Sequence, residues 1–121
     1  MTNPNALWIK LRHYVGLNCA LEYKPAIADD IERWITTHNA PVIIDGLLVK
    51  VIFSIYFNNL LYDLIQRLGI AQVNSLVSFE NLNELNERTL DSSKRHIERW
   101  CTDPDYREAV DMVTKRMVEN E

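Results

Sequence analysis

The stretch PVIIDGLLVKVIFSIYFNNLLYDLIQRLG, Pro41 to Gly69, decides how the rest of the chain is read. Wound as a single helix, it carries hydrophobic side chains around almost its whole circumference, and a helix with so narrow a polar face has to be enclosed by others. On that reading it is the central rod of an all-α bundle, with Arg67 in its last turn and Gly69 as a left-handed cap. At about 100° per residue from Lys50, Ser54 and Asn58 fall near 40° and 80°, whereas Asn59, Asp63 and Gln66 fall near 180°, 220° and 160°. The polar stripe therefore changes sides near residue 58, which implies a kink or different neighbours for the two halves.

Working outward, Asn3 and Pro4 open a helix with Leu7, Trp8, Leu11, Tyr14 and Val15 on one side. Pro25 starts a second helix, with Ile27, Ile31, Trp34 and Ile35 inward and Asp29, Asp30 and Glu32 near its positive end. Beyond the rod, Ser78 caps a fourth helix to about Leu90, and Asp91 or Ser92 caps a fifth containing Ile97 and Trp100. Asp103 followed by Pro104 launches a last helix with Tyr106, Val110, Val113 and Met117 inward. The expectation is an all-α, single-domain bundle of about six helices spanning residues 1–121, with Trp8, Trp34 and Trp100 packed as core.

A chain of 121 residues with 47% hydrophobic and 25% charged side chains can bury one ordinary core. Its net charge of -4 disfavours nonspecific binding to nucleic acid or to an anionic membrane, both of which need a cationic surface. Residues 1–60 balance their charges, so the whole acidic excess lies in the second half. The run Leu47 to Phe57 is interrupted by Lys50 and is shorter than the roughly 20 residues a membrane-crossing helix needs. The opening MTNPNALWIKLRHY lacks the pattern of a secretory signal, and Cys19 and Cys101 read as reduced thiols, so a cytoplasmic protein is expected.

Chemistry-bearing motifs are sparse. His13, His38 and His96 are scattered without a carboxylate or cysteine three or four residues away, so no metal site, cofactor or small-molecule ligand is implied. Arg33 and His38 form R-x4-H, which resembles the signature of HEPN-type ribonucleases, where a cation stabilises phosphorane charge and a histidine moves a proton. Trp34 follows the arginine where that family has a polar residue, and the motif sits early in the chain. A more useful feature is acidic: on a continuous helix the spacing of Glu80, Glu84, Glu87 and Asp91 brings all four carboxylates onto one narrow arc. Four like charges so placed repel, and a basic protein partner would relieve that cost.

The order of elements resembles that of the small helical immunity proteins of bacterial contact-dependent growth inhibition systems. The carrying segments are LRHYVGLNCALEY at 11–23, LLYDLIQRLGI at 60–70 and DPDYREAVDMVTKRM at 103–117. The sequence departs at Val15, Gly16 and Leu17, where aromatic and acidic residues often stand, and after Gly69, where a tyrosine pair is missing. The resemblance implies a non-enzymatic cytosolic inhibitor that neutralises one cognate toxin domain, often a nuclease whose cationic cleft suits an acidic partner. Against it stand the HEPN-like ribonuclease of Arg33 and His38, and a small regulatory or scaffold subunit that binds through exposed apolar surface.

Overall fold

The computed structural model describes residues 6–109 and 112. Its backbone is mixed α/β, which overturns the all-α bundle. The decisive stretch is three elements rather than one. Strand β3 takes Val42–Asp45, β4 takes Val51–Ile52, and the helix α3 begins only at Ser54 and runs to Leu68. Val42, Ile43, Ile44, Val51 and Ile52 are β-branched residues that fit a pleated surface, and a strand buried on both flanks reads as an unbroken apolar run just as a buried helix does. The shifting polar stripe disappears with this correction. Within α3 the exposed positions include Ile55, Asn59, Tyr62 and Gln66, one regular helical stripe, while Lys50 belongs to the loop before β4 and Asn58 is half-buried.

The first half of the first expected helix and the start of the fourth are also strands. β1 is Leu7–Lys10, followed by a one-turn helix α1 at Arg12–Val15, and β5 is Val77–Glu80. Both alternate: Leu7 and Ile9 turn inward while Trp8 and Lys10 are exposed, and Val77 and Phe79 turn inward while Ser78 and Glu80 are exposed. The helix start assigned to Asn3 and Pro4 lies outside the described residues. The second helix stands as read: α2, Ala26–His38, follows Pro25 and buries Ile27, Ile31 and Ile35. Gly69 ends α3 with φ 87° and ψ 150°, a positive φ that suits glycine but not the left-handed helical cap expected. A short helix α4, Ile70–Leu76, leads into β5, and the predicted fourth and fifth helices are one, α5, Glu84–Thr102, capped by Asn83 rather than by Ser78. Asp103 does cap the helical stretch at 104–109, accepting from the amides of Asp105 and Tyr106 at 3.1 and 3.2 Å. The inward positions Val110, Val113 and Met117 are outside the described residues.

The strands form two parallel sheets, one ordered β1-β3-β5 and the other β2-β4, where β2 is Cys19–Ala20. In the larger sheet Leu7, Val42 and Val77 share one row and Ile9, Ile44 and Phe79 the next but one. These rows face α2 and α3 and join the same core as Ile27, Ile31, Phe57, Leu60 and Leu64. Phe57 of α3 meets Phe79 of β5 edge to face, with ring centroids 5.6 Å apart. Helix α5 packs along α3 and reaches β4 through Asn86, which is 0% exposed. Its side-chain oxygen accepts from Ile52 N at 2.9 Å and its amide donates to the carbonyls of Val49 and Lys50 at 3.1 and 3.3 Å. A two-stranded parallel sheet has little ladder of its own, and this buried amide supplies partners to the outer edge of β4 and to the loop before it.

Helices α2 and α3 are tied by ions as well as by core. Arg67 bonds Asp63 at 2.9 Å and Asp29 at 2.6 Å, and Tyr23 donates to Asp63 at 2.5 Å. Burial alone would raise the Asp63 carboxyl, but the hydrogen bonds from Arg67 and Tyr23 hold it below the usual aspartate range. Burial and the bond to Asp63 push the Tyr23 phenol far up, and Asp63 and Asp29 do the same to Arg67.

Candidate recognition surfaces

Both sheets leave one face without a covering helix among the described residues, and the two faces differ in chemistry. Parallel sheets are ordinarily covered on both sides, so each open face needs an account. On the three-stranded sheet the uncovered rows are Trp8, Ile43 and Ser78, then Lys10, Asp45 and Glu80. Apart from Trp8 and the half-buried Ile43 this face is polar. Asp45 accepts from Leu47 N at 2.9 Å and from Asn81 at 3.1 Å, and the Leu47 amide in particular holds its carboxyl below the ordinary range.

On the two-stranded sheet the backbone alternation turns Ala20 and Ile52 inward and Cys19 and Val51 outward. Leu21 and Phe53, each one residue past the ladder, continue that alternation outward with exposures of 54% and 42%, and Leu17, 52% exposed, stands in the bend before β2. Leu85 of α5, 55% exposed, lines one groove together with Val51 and Phe53. Leu48 stands in the preceding turn, 60% exposed, with φ 72°. A positive φ is uncommon for a branched apolar residue and marks a backbone held against its preference. Scattered surface leucines require no explanation, but Leu21, Phe53 and the Cys19 thiol share one strand periodicity, with Leu85 beside Phe53, and form a patch of the kind that marks an interaction site. Sequence reading missed this face because its alternation spans only 19–21 and 51–53, segments assigned to a helix end and a helix interior.

The predicted acidic row is split by the fold. Glu80 stands on β5, on the open face of the larger sheet, and a turn at 81–83 separates it from the others. Glu84, Glu87 and Asp91 do share α5 and are exposed there, within about 60° of one another. Glu84 pairs with Arg88, and Arg95 and Arg99 continue beside the carboxylates, so the outer face of α5 carries adjoining acidic and basic stripes. The predicted pair Arg33 and His38 lies near the end of α2, both exposed, with Arg33 3.4 Å from Asp30 and the His38 ring tilted against Trp34 at 4.1 Å between centroids. They line a groove of about 610 Å³ with two further cationic or titratable side chains, Lys10 and His13, that sequence reading did not single out as partners of this pair. Only the pairing of β1 with β3 brings those two beside α2.

Among the described residues no group of three or more His, Cys, Asp or Glu could hold a metal ion, and no helix is long and apolar enough to cross a membrane. Cys19 and Cys101 are both free thiols. Comparison with known proteins adds no relative: no family model, no curated protein and no solved structure matches the chain.

Proposed function

We propose that the chain is a non-enzymatic protein-binding module that docks a partner on the apolar face of the β2–β4 sheet, and that the partner is a basic protein such as a toxin domain that the chain neutralises in the cytoplasm. The observation that carries this reading is the face itself: Leu21 and Phe53 follow the outward phase of Cys19 and Val51, Leu85 lines a groove with Phe53, and each of the three is more than 40% exposed beside a sheet too small to cover itself. Desolvated apolar anchors at the centre of an interface dominate affinity, while charges at its rim govern the rate and salt dependence of encounter. Glu84, Glu87 and Asp91 stand on the outer side of α5, beyond Arg88 and Ser92 that border the groove, and with the net charge of -4 they favour approach of a cation-rich surface. The resemblance to immunity proteins supplies the toxin in this reading, and it rests on sequence alone.

The test uses protein copurified with the tagged chain from its own cells, or the product of the open reading frame directly upstream. The paired change Leu21→Lys with Phe53→Lys should weaken the complex by about a hundredfold, since two interface anchors each contribute more than about 1 kcal/mol. Glu84→Lys with Glu87→Lys should slow association and reduce its salt dependence while changing dissociation little. A complex indifferent to both pairs refutes the reading. A salt-insensitive homodimer that dissociates on Leu21→Lys would instead favour the scaffold alternative. The ribonuclease alternative requires RNA cleavage by the purified chain that is lost on His38→Ala.

A further inference from the structure

We propose that the groove between the free edge of β1 and helix α2 binds an acidic segment of extended polypeptide, which joins the three-stranded sheet as a fourth strand. The phase of the ladder sets up the edge. Leu7 N donates to Pro41 O at 2.9 Å and Leu11 N to Asp45 O at 2.8 Å, so residues 7, 9 and 11 turn their amides toward β3. Trp8 and Lys10 therefore turn their N–H and C=O groups the other way, and no hydrogen bond among the described residues engages them. Such a row is a template for strand addition unless something covers it.

The opposite wall is one face of α2. Arg33, Trp34, Thr37 and His38 recur at helical spacing along the groove of about 610 Å³, in which all four residues of β1 take part. Trp34 is fixed there by donation from its ring nitrogen to Pro41 O at 3.2 Å, with the His38 ring tilted against it, and offers an apolar ring to alternate side chains of a strand. At about 3.3 Å per residue, a groove flanking a four-residue strand accommodates four to five residues of extended chain.

Charge selects the occupant. Lys10 and Arg33 line the groove against one carboxylate, Asp30, which already accepts from Tyr14 at 2.5 Å and from Arg33, and the imidazoles of His13 and His38 stand beside them. A cationic groove on a chain of net charge -4 favours a peptide bearing Glu or Asp. Edge-to-edge pairing with a second copy would set Lys10 and Arg33 near their own equivalents, and Lys at a sheet edge is a common device against such self-association. RNA would meet the same cations but has no alternating amide and carbonyl to complete the β1 edge.

The experiment is calorimetry on the full chain with the acetylated, amidated hexapeptide Glu-Val-Glu-Val-Glu-Val, its Lys-Val counterpart, an acidic version N-methylated at alternate residues, and oligoadenylate RNA. The acidic peptide should bind with a Kd on the order of 10–100 µM, and the lysine and N-methylated peptides at least about tenfold more weakly. Lys10→Glu with Arg33→Glu should cost at least about tenfold in affinity for the acidic peptide. Amide exchange at Trp8 and Lys10 should be fast in the free chain and slowed in the complex. The chain carrying Leu21→Lys and Phe53→Lys should bind the peptide unchanged, because this groove uses none of the residues of the β2–β4 face. Indifference to N-methylation, tighter binding of the RNA, or Trp8 and Lys10 amides already protected in the free chain would each overturn the proposal.

Discussion

The two parallel sheets are both open on one side, yet one open side presents Lys10, Ser78 and Glu80 and the other Leu21 and Phe53. The first is a surface that water solvates readily, with Asp45 satisfied by Leu47 and Asn81. The second leaves apolar area in contact with water, at roughly 25 cal/mol per Å², without any gain in folding. The smaller sheet also has only a two-residue ladder, and its strand β4 and the loop before it are bonded from outside by Asn86 of α5. A two-residue ladder flanked by a buried amide, displaying Leu21 and Phe53 outward, is a platform whose exposed side makes physical sense when another protein covers it.

The largest expected effect breaks this contrast at its support. Asn86→Ala leaves the Ile52 amide and the Val49 and Lys50 carbonyls without their partner, and should lower stability by about 3 kcal/mol in chemical denaturation. Amide exchange should speed first at Val51 and Ile52 while Val42–Asp45 stays protected, if the two sheets differ in their supports as described. A uniform loss of protection would show that they do not.

A smaller effect sharpens the comparison from the charged side of the molecule. Asp63 is more acidic folded than unfolded, so its contribution to stability is complete above the unfolded aspartate pKa of about 4 and is lost as pH falls through the lower folded value. Asp45 behaves in the same sense. Thermal unfolding followed from about pH 6 downward should therefore show stability falling below about pH 4, with a shallower fall in Asp63→Asn, which starts from a lower plateau. Parallel curves for the two proteins would remove Asp63 from the α2–α3 tie.

The smallest effect concerns Leu48. Replacing it with glycine relieves the φ of 72° and should raise stability by about 1 kcal/mol by thermal or chemical denaturation, because no buried contact is lost from a side chain 60% exposed. Destabilisation on Leu48→Gly would mean that the side chain packs in solution and that the turn is not under strain. If Leu48 also contributes to the apolar face, the same variant should bind the partner more weakly while folding better, the trade expected of a strained residue retained for recognition.

Elements whose signal is local were legible in the sequence. Pro25 and the Ile27, Ile31, Ile35 spacing gave α2, Gly69 marked the end of α3, and Asp103 with Pro104 marked the last helix start. The strands escaped because each has at most four residues and because β3 is apolar on consecutive positions, where period 2 and period 3.6 cannot be told apart. Their partners stand some 35 residues away in the chain, as Leu7 with Val42 and Val42 with Val77, and such pairing has no local trace. Trp8 shows the consequence: expected in the core as a helical residue, it is 54% exposed as a strand residue one step out of phase. The sequence spacing put all four carboxylates of the acidic row on one helix; the structure keeps Glu84, Glu87 and Asp91 together on α5 and separates Glu80, which stands on β5.

Cys19, two residues before Leu21, is exposed on the apolar face, whereas Cys101 on α5 is half-buried, so the chain carries its own reporter of whether the proposed partner covers that face. Maleimide labelling of both thiols should be followed by mass spectrometry in the free chain and in the complex with its partner. Complex formation should slow modification of Cys19 by at least about tenfold and leave Cys101 unchanged, as burial of one thiol under an interface requires. Undiminished labelling of Cys19 in a saturated complex would contradict docking on this face and move the site off the smaller sheet.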